Sequence, residues 1–213
     1  MSQQLGAMQG LHLGVVSDNQ DPQRRGRIQV ILHSTGMKLW APCMTNSAGV
    51  GYGISCLPKV EEQVVISFIS PEMAIVLGAL WSGSDSHPDD AQEVEDKYAL
   101  ITPSGSKIVL DDEQGPKITL QTGSGYRIEI DETGSGEINI EKDNEKIKLS
   151  SSGIKIRSTA KVEIEAASTV EVNASMVKVN AAMSDFSGVV KCDTLITNSV
   201  VSSSYTPGAG NIW

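Results

Sequence analysis

Carboxylates supply most of the side chains in this sequence that could do chemistry. Asp111, Asp112 and Glu113 form one cluster, Glu129, Asp131 and Glu132 a second, and Glu141, Asp143 and Glu145 a third. A glycosidase needs two carboxylates converging across a sugar. These clusters lie between short apolar pairs, where turns would hold them in water, so a solvated face is the better reading. Asp131-Glu132-Thr133-Gly134 and Asp143-Asn144 could hold calcium loosely, but neither carries the ligand series of an EF-hand loop. His12, His33 and His87 are scattered over a strand, a strand end and a polar stretch. No Ser or Cys stands in a nucleophile context such as G-x-S-x-G. Gly49-Val50-Gly51-Tyr52-Gly53 looks like a phosphate loop, yet no helix follows it to supply the anion-binding dipole. The chain is therefore expected to be neither an enzyme nor a metal or cofactor protein.

Composition narrows the class further. The 213 residues carry Lys+Arg 17 against Asp+Glu 26, a net charge of −9. That opposes nucleic-acid binding, which needs a basic face to displace counterions, and it opposes polybasic attachment to anionic lipid. Met73 to Trp81 is the longest apolar stretch and is far too short to span a bilayer. The opening MSQQLGAMQG has no basic and apolar regions of a signal peptide. Cys43, Cys56 and Cys192 are an odd number in no metal-ligand spacing, as expected for reduced thiols of a protein made in the cytosol.

The elements that would carry any function change character midway. Prolines punctuate the chain from Pro22 to Pro116, and none follows until Pro207. Residues 83–97 read as an acidic linker, because turn-formers and a run of carboxylates mark an exposed connection. Before it, Leu11–Val16, Arg27–Leu32, Leu39–Met44, Val64–Ile69 and Ala74–Trp81 alternate as short strands, with a glycine-rich hairpin or loop at Gly49–Gly53. Without helical periodicity anywhere in residues 11–82, a small Greek-key barrel or another β-sandwich is implied.

After the linker a small unit repeats, two apolar residues flanking a polar one. The pairs begin at Ile108/Leu110 and Ile118/Leu120 and continue through Ile128/Ile130, Ile138/Ile140, Ile147/Leu149 and Ile154/Ile156. Val162/Ile164, Val170/Val172 and Val177/Val179 complete the series, at spacings of seven to ten residues. Period-2 alternation places each pair on one face of a strand. A strand with two inward side chains cannot exclude water alone, and the unit is too short for a self-sufficient coil. Three copies around one axis would solve this, each supplying one wall of a prism with Ile and Val inside. An antiparallel meander is the alternative, and glycines at 115, 123, 125, 134 and 136 fit it well over residues 107–140.

The ordered elements Gly14-Val15-Val16, Asp21-Pro22, Gly26-Arg27-Ile28-Gln29-Val30 and Trp40-Ala41-Pro42 resemble a known barrel. So do the glycine-rich Gly49–Gly53, the stretch Leu57-Pro58-Lys59-Val60-Glu61-Glu62-Gln63-Val64-Val65-Ile66-Ser67-Phe68 and the closing Val76-Leu77-Gly78-Ala79-Leu80-Trp81. The barrel is that of contractile-tail spike proteins, the phage baseplate assembly protein V family, and it is similar to the barrel of type VI secretion valine-glycine repeat proteins. The resemblance implies an all-β chain: an N-terminal adaptor at 1–10, an OB-type Greek-key barrel, an intertwined trimeric β-helix over 98–201, and a small C-terminal apex at 202–213.

The function so implied is a homotrimeric central spike of a contractile injection apparatus that docks on a baseplate hub protein and pierces the target cell envelope. A trimeric β-helical tail fibre or adhesin binding a cell-surface receptor is the alternative. The implied location is a virion or phage-tail-like particle, at the baseplate tip, assembled in the bacterial cytoplasm. Arg24, Arg25 and Arg27 are the basic cluster that could contact an acidic hub, or form a solvated turn. Tyr205, Pro207, Ile212 and Trp213 would close the apex and touch the target membrane, with a separate tip protein as a further partner, or else fray as a terminus. Glu61 stands where many relatives have glycine, and the H-x-H iron motif of some relatives is missing.

Overall fold

The computed structural model describes residues 10–84, 86–91 and 95–203. Most of the expected adaptor and all four named apex residues, Tyr205, Pro207, Ile212 and Trp213, lie outside the described residues. The chain divides into two units, before and after Val162.

Alternation of β-branched residues builds the first part. β1 (Gly10–Asp18), β2 (Arg27–Leu32), β3 (Lys38–Pro42), β6 (Gln63–Ser70) and β7 (Met73–Leu80) form one antiparallel sheet in the order β3-β2-β1-β6-β7. A two-residue pair, β4 (Ala48–Gly49) with β5 (Tyr52–Gly53), makes the glycine-rich hairpin. The sheet closes on itself: Cys43 bridges Val76 in parallel, and the Met44 N–H donates to the Val76 carbonyl at 2.8 Å. Along β2, Ile28, Val30 and Leu32 are fully buried while Arg27, Gln29 and Ile31 face outward. Val16, Ala41, Val64, Ile66, Ala74 and Val76 complete the core. Gly14 is required by close approach, since a Cβ there would sit 2.7 Å from the Ile31 carbonyl oxygen and 2.8 Å from Ile66 Cδ1.

Beyond a 3-10 turn at Asp89–Ala91, a second sheet begins. Its strands are β8 (Lys97–Ile101), β9 (Lys107–Asp111), β10 (Lys117–Gln121), β11 (Arg127–Asp131), β12 (Glu137–Lys142), β13 (Glu145–Ser150) and β14 (Gly153–Arg157). Each pairs antiparallel with its neighbour in sequence, so this is a seven-stranded meander. Residues 98–157 satisfy their ladder within one chain, whereas the intertwined trimeric β-helix expected over 98–201 would need neighbouring copies. The alternative reading for 107–140 is the observed one, and it extends to Arg157.

The turns show why. Thr102 and Thr122 open five-residue loops of the same chemistry, in which the threonine N–H donates to the carbonyl of Ser106 or Tyr126 at 2.8 and 2.9 Å. The Gly105 and Gly125 N–H groups each donate back to the threonine carbonyl at 2.9 Å, and both glycines have positive φ. Gly123 must lack a side chain, because the Ser104 carbonyl oxygen fills the place its Cβ would take. At the opposite sheet end the Thr133 N–H caps Asp131 at 2.8 Å.

From residue 158 the pattern changes again. No strand is assigned over 158–203, and every residue from 159 to 203 is exposed. The apolar alternation nevertheless continues, with Val162, Ile164, Val170, Val172, Val177 and Val179 all open to solvent.

Candidate assembly surface

The registers of the meander stack its apolar pairs directly over one another. Ile118 lies opposite Leu110 and Ile130, Leu120 opposite Ile108 and Ile128, and Ile140 opposite Ile128 and Ile147. Ile138 faces Leu149, Ile147 faces Ile156, and Leu149 faces Ile154. Tyr98 and Leu100 extend the same face on β8, opposite Leu110 and Ile108. The result is a continuous aliphatic wall, two residues from every strand.

That wall is the bare side of the sheet. Ile108, Ile118, Leu120, Ile128 and Ile140 are 41–43% exposed. On the opposite face Thr119 and Asn139 are 8% and 4% exposed. Burial is thus inverted relative to polarity. The cause is the length of the charged side chains on the polar face, which lie along the sheet and pair across strands. Lys117 Nζ stands 3.0 Å from Asp131, Lys146 3.0 Å from Glu141, and Lys97 3.1 Å from Glu113. Lys148 likewise pairs with Glu137 across strands, while Arg127 pairs with Glu129 along β11 itself. Such exposed pairs each contribute little stability. Their effect is to shield the central row from water and to leave the aliphatic face as the one lacking a partner. That face holds a trough of about 480 Å³ whose lining includes Leu100, Ile108, Leu120, Ile128 and Ile140. A monomer's largest apolar patch is roughly 300–600 Å² and is often functional; here the patch is an entire sheet face.

The electrostatics are structural. Hydrogen bonds from the Thr133 hydroxyl and N–H, reinforced by Lys117, lower the Asp131 carboxyl to about 2. Lys148 and Asn139 lower Glu137. Among the described residues no three His, Cys, Asp or Glu side chains gather as metal ligands would.

The predicted site residues fall into three groups. Ile128, Ile130, Ile138, Ile140, Ile147, Leu149, Ile154 and Ile156 are brought together on the bare face, whereas Val162, Ile164, Val170, Val172, Val177 and Val179 belong to the exposed segment that follows. Arg24, Arg25 and Arg27 do not act as one cluster. Asp21 accepts from Arg27 Nη2 at 2.8 Å and Nε at 3.0 Å, and from the Gln23 and Arg25 N–H groups at 3.0 and 2.8 Å. Arg27 also stacks over Trp40, 5.8 Å from the ring centre. Its charge is already matched, whereas Arg24 and Arg25 stay exposed in this loop. The missed feature is this knot, and its signal was an Asp six residues before an Arg across a polar turn.

The knot predicts an acid dependence. The Arg27 guanidinium holds the Asp21 carboxyl well below the usual carboxylate range. A lowered folded value means that the stabilisation is complete above the ordinary carboxylate pKa, about 4, and is lost as pH falls toward the lower folded value. Asp21→Asn should therefore melt earlier than wild type at pH 6, with the gap narrowing below about pH 4. Circular dichroism melts across that range check it; a gap constant with pH would assign the loss to something other than the charge.

The barrel can now be compared with known families. Residues 12–81 match the model of the type VI secretion system/phage-baseplate injector OB domain. The barrel is similar to that domain, and the match covers the barrel alone. No curated protein matches the chain. The match points to a structural role of the baseplate or spike type. The resemblance read from Asp21-Pro22, the Leu57–Gln63 stretch and the closing Val76–Trp81 strand is to this same family.

Proposed function

We propose that the chain is the homotrimeric central spike of a contractile injection apparatus, which docks on the baseplate hub and is driven through the target envelope when the apparatus fires. The carrying observation is an injector OB domain followed directly by a sheet whose hydrophobic side is bare. Three copies related by a three-fold axis would turn three such faces inward as the walls of a prism. Residues 158–203, apolar by alternation and without a ladder of their own, would then pair with the neighbouring copies in an interwound continuation.

Mechanically this suits piercing. Each wall commits its strand hydrogen bonds internally, and the closed prism leaves its apolar rows inaccessible to water, so bending requires breaking many contacts at once. The side chains change from Ile and Leu in Ile108–Ile156 to Val in much of Val162–Val179, which lets the walls converge toward the far end. Arg24 and Arg25, exposed at the barrel loop, suit contact with an acidic hub surface.

Sedimentation equilibrium of the purified chain tests the reading, together with an SDS gel of unheated and boiled samples. The expected mass is three times the 22.7 kDa chain, in a species that survives SDS until heated. A monomer would overturn the spike.

A further inference from the structure

In and beside the barrel two exposed apolar features adjoin the aliphatic wall. One is convex. The β4–β5 hairpin carries Val50 and Tyr52 at 102% and 73% exposure. It is built to hold its shape: Gly51 turns with φ 79°, the Ile54 N–H donates to the Ser47 carbonyl at 3.0 Å, and the Thr45 hydroxyl donates to the Ile54 carbonyl at 2.8 Å. The Tyr52 ring lies across Gly49, in the space that a Cβ would occupy, so the aromatic is laid flat against its own hairpin. The other feature is concave. A groove of about 850 Å³ runs between the 55–59 stretch, the end of β7 and the start of the second sheet. Its apolar lining, Met44, Leu57, Leu80, Trp81 and Leu100, is between 36% and 69% exposed.

Symmetry connects the two. A three-fold ring has heterologous contacts, in which one patch of each copy meets a different patch of the next, so it needs a complementary pair on one chain. A protruding apolar hairpin and an apolar groove on the same unit are such a pair. The groove is also continuous with the bare sheet face, because Leu100 lines both. A neighbouring copy seated on that face is thereby brought to the groove's mouth. Tyr suits this position, since it buries an aromatic body while its hydroxyl stays at a wet rim, here near Lys59 and Glu62.

We propose that the β4–β5 hairpin of each copy seats Val50 and Tyr52 in the Leu57–Leu80–Trp81–Leu100 groove of the next copy, clamping the three barrels into a ring. This rests on the trimeric reading above and assigns the barrels their own contact, which adjoins the prism walls at Leu100.

The test uses the full chain with Cys43→Ala, Cys56→Ser and Cys192→Ser as background. One version carries Val50→Cys, a second with a different tag carries Leu80→Cys, and the two are co-expressed and treated with a short bis-maleimide. The expected result is a covalent dimer bearing both tags, which neither version forms when expressed alone. If the co-expressed sample sediments as a trimer but gains no two-tag dimer, the hairpin does not sit in the groove and the proposal is overturned. If it sediments as a monomer, the trimeric reading fails and this contact fails with it. Val50→Asp supplies a second measurement: Val50 is fully exposed within its own chain, so the barrel should keep its circular dichroism spectrum while the SDS-resistant trimer dissociates at a lower temperature. An unchanged dissociation temperature would also overturn the proposal.

Discussion

Ile128→Lys should leave the chain folded and monomeric. Ile128 sits on β11, the central strand of the seven, opposite Leu120 and Ile140 on the bare face. Within one chain the side chain is 41% exposed, so a lysine there has water available and need not disturb the sheet. In the proposed trimer the same position faces the axis, and symmetry introduces three ammonium groups at one level. Removing even one unpaired charge from water costs several kcal/mol, and mutual repulsion adds to it. The sedimentation mass should fall from three chains to one, with SDS resistance lost. Asn144→Lys, in the β12–β13 turn, adds the same charge away from this face and should change neither readout. A trimeric Ile128→Lys protein would mean that the bare face is not the assembly surface.

The second large effect belongs to the barrel. Ile66 on β6 is fully buried, and its Cδ1 packs against the backbone of β1 where Gly14 admits it. Ile66→Ala removes three carbons from a closed barrel that cannot collapse around the void, at a cost of about 2–5 kcal/mol. Small domains have a total stability of about 5–15 kcal/mol, so this single change consumes a large share of it. Chemical denaturation of the full chain should show the barrel's transition at a distinctly lower midpoint, whereas the meander's transition stays in place. Equal displacement of both would show that barrel and sheet unfold as one unit.

How much of this could be read beforehand depends on what a period of two encodes. Alternation specifies which side chains share a face, and on that question Arg27–Leu32 and the pairs from Ile108 to Ile156 were legible residue by residue. It says nothing of where the next strand runs. Direction is set by the turns, and there the signal was the glycines: Gly105, Gly115, Gly125, Gly134, Gly136 and Gly153 all take positive φ at hairpin ends. No glycine follows Gly153 until Gly188. The hairpins stop where the glycines stop, and a reading that weighed turn chemistry as heavily as strand spacing would have placed the change of architecture near Arg157. The Asp21 knot was less legible, because a carboxylate and a guanidinium six residues apart meet only if the loop between them folds back. The basic cluster therefore looked like one surface when a third of it was already neutralised. The inversion of burial on the second sheet was not legible at all, since it arises from how far Lys and Glu side chains reach across neighbouring strands.

The meander has a consequence for the order of events during synthesis. Every strand from β8 to β14 pairs with its immediate neighbour in the chain, so loop-closure entropy is small and the sheet can form hairpin by hairpin as it leaves the ribosome. The segment after residue 157 has no such option, because its apolar residues find no cover within its own unit. The nascent protein thus acquires a finished but adhesive wall well before its last residues are made. In the proposed trimer its fate during that interval would depend on how quickly it meets two siblings, and polysomes, which hold many copies of one chain close together, would favour the correct encounter over aggregation.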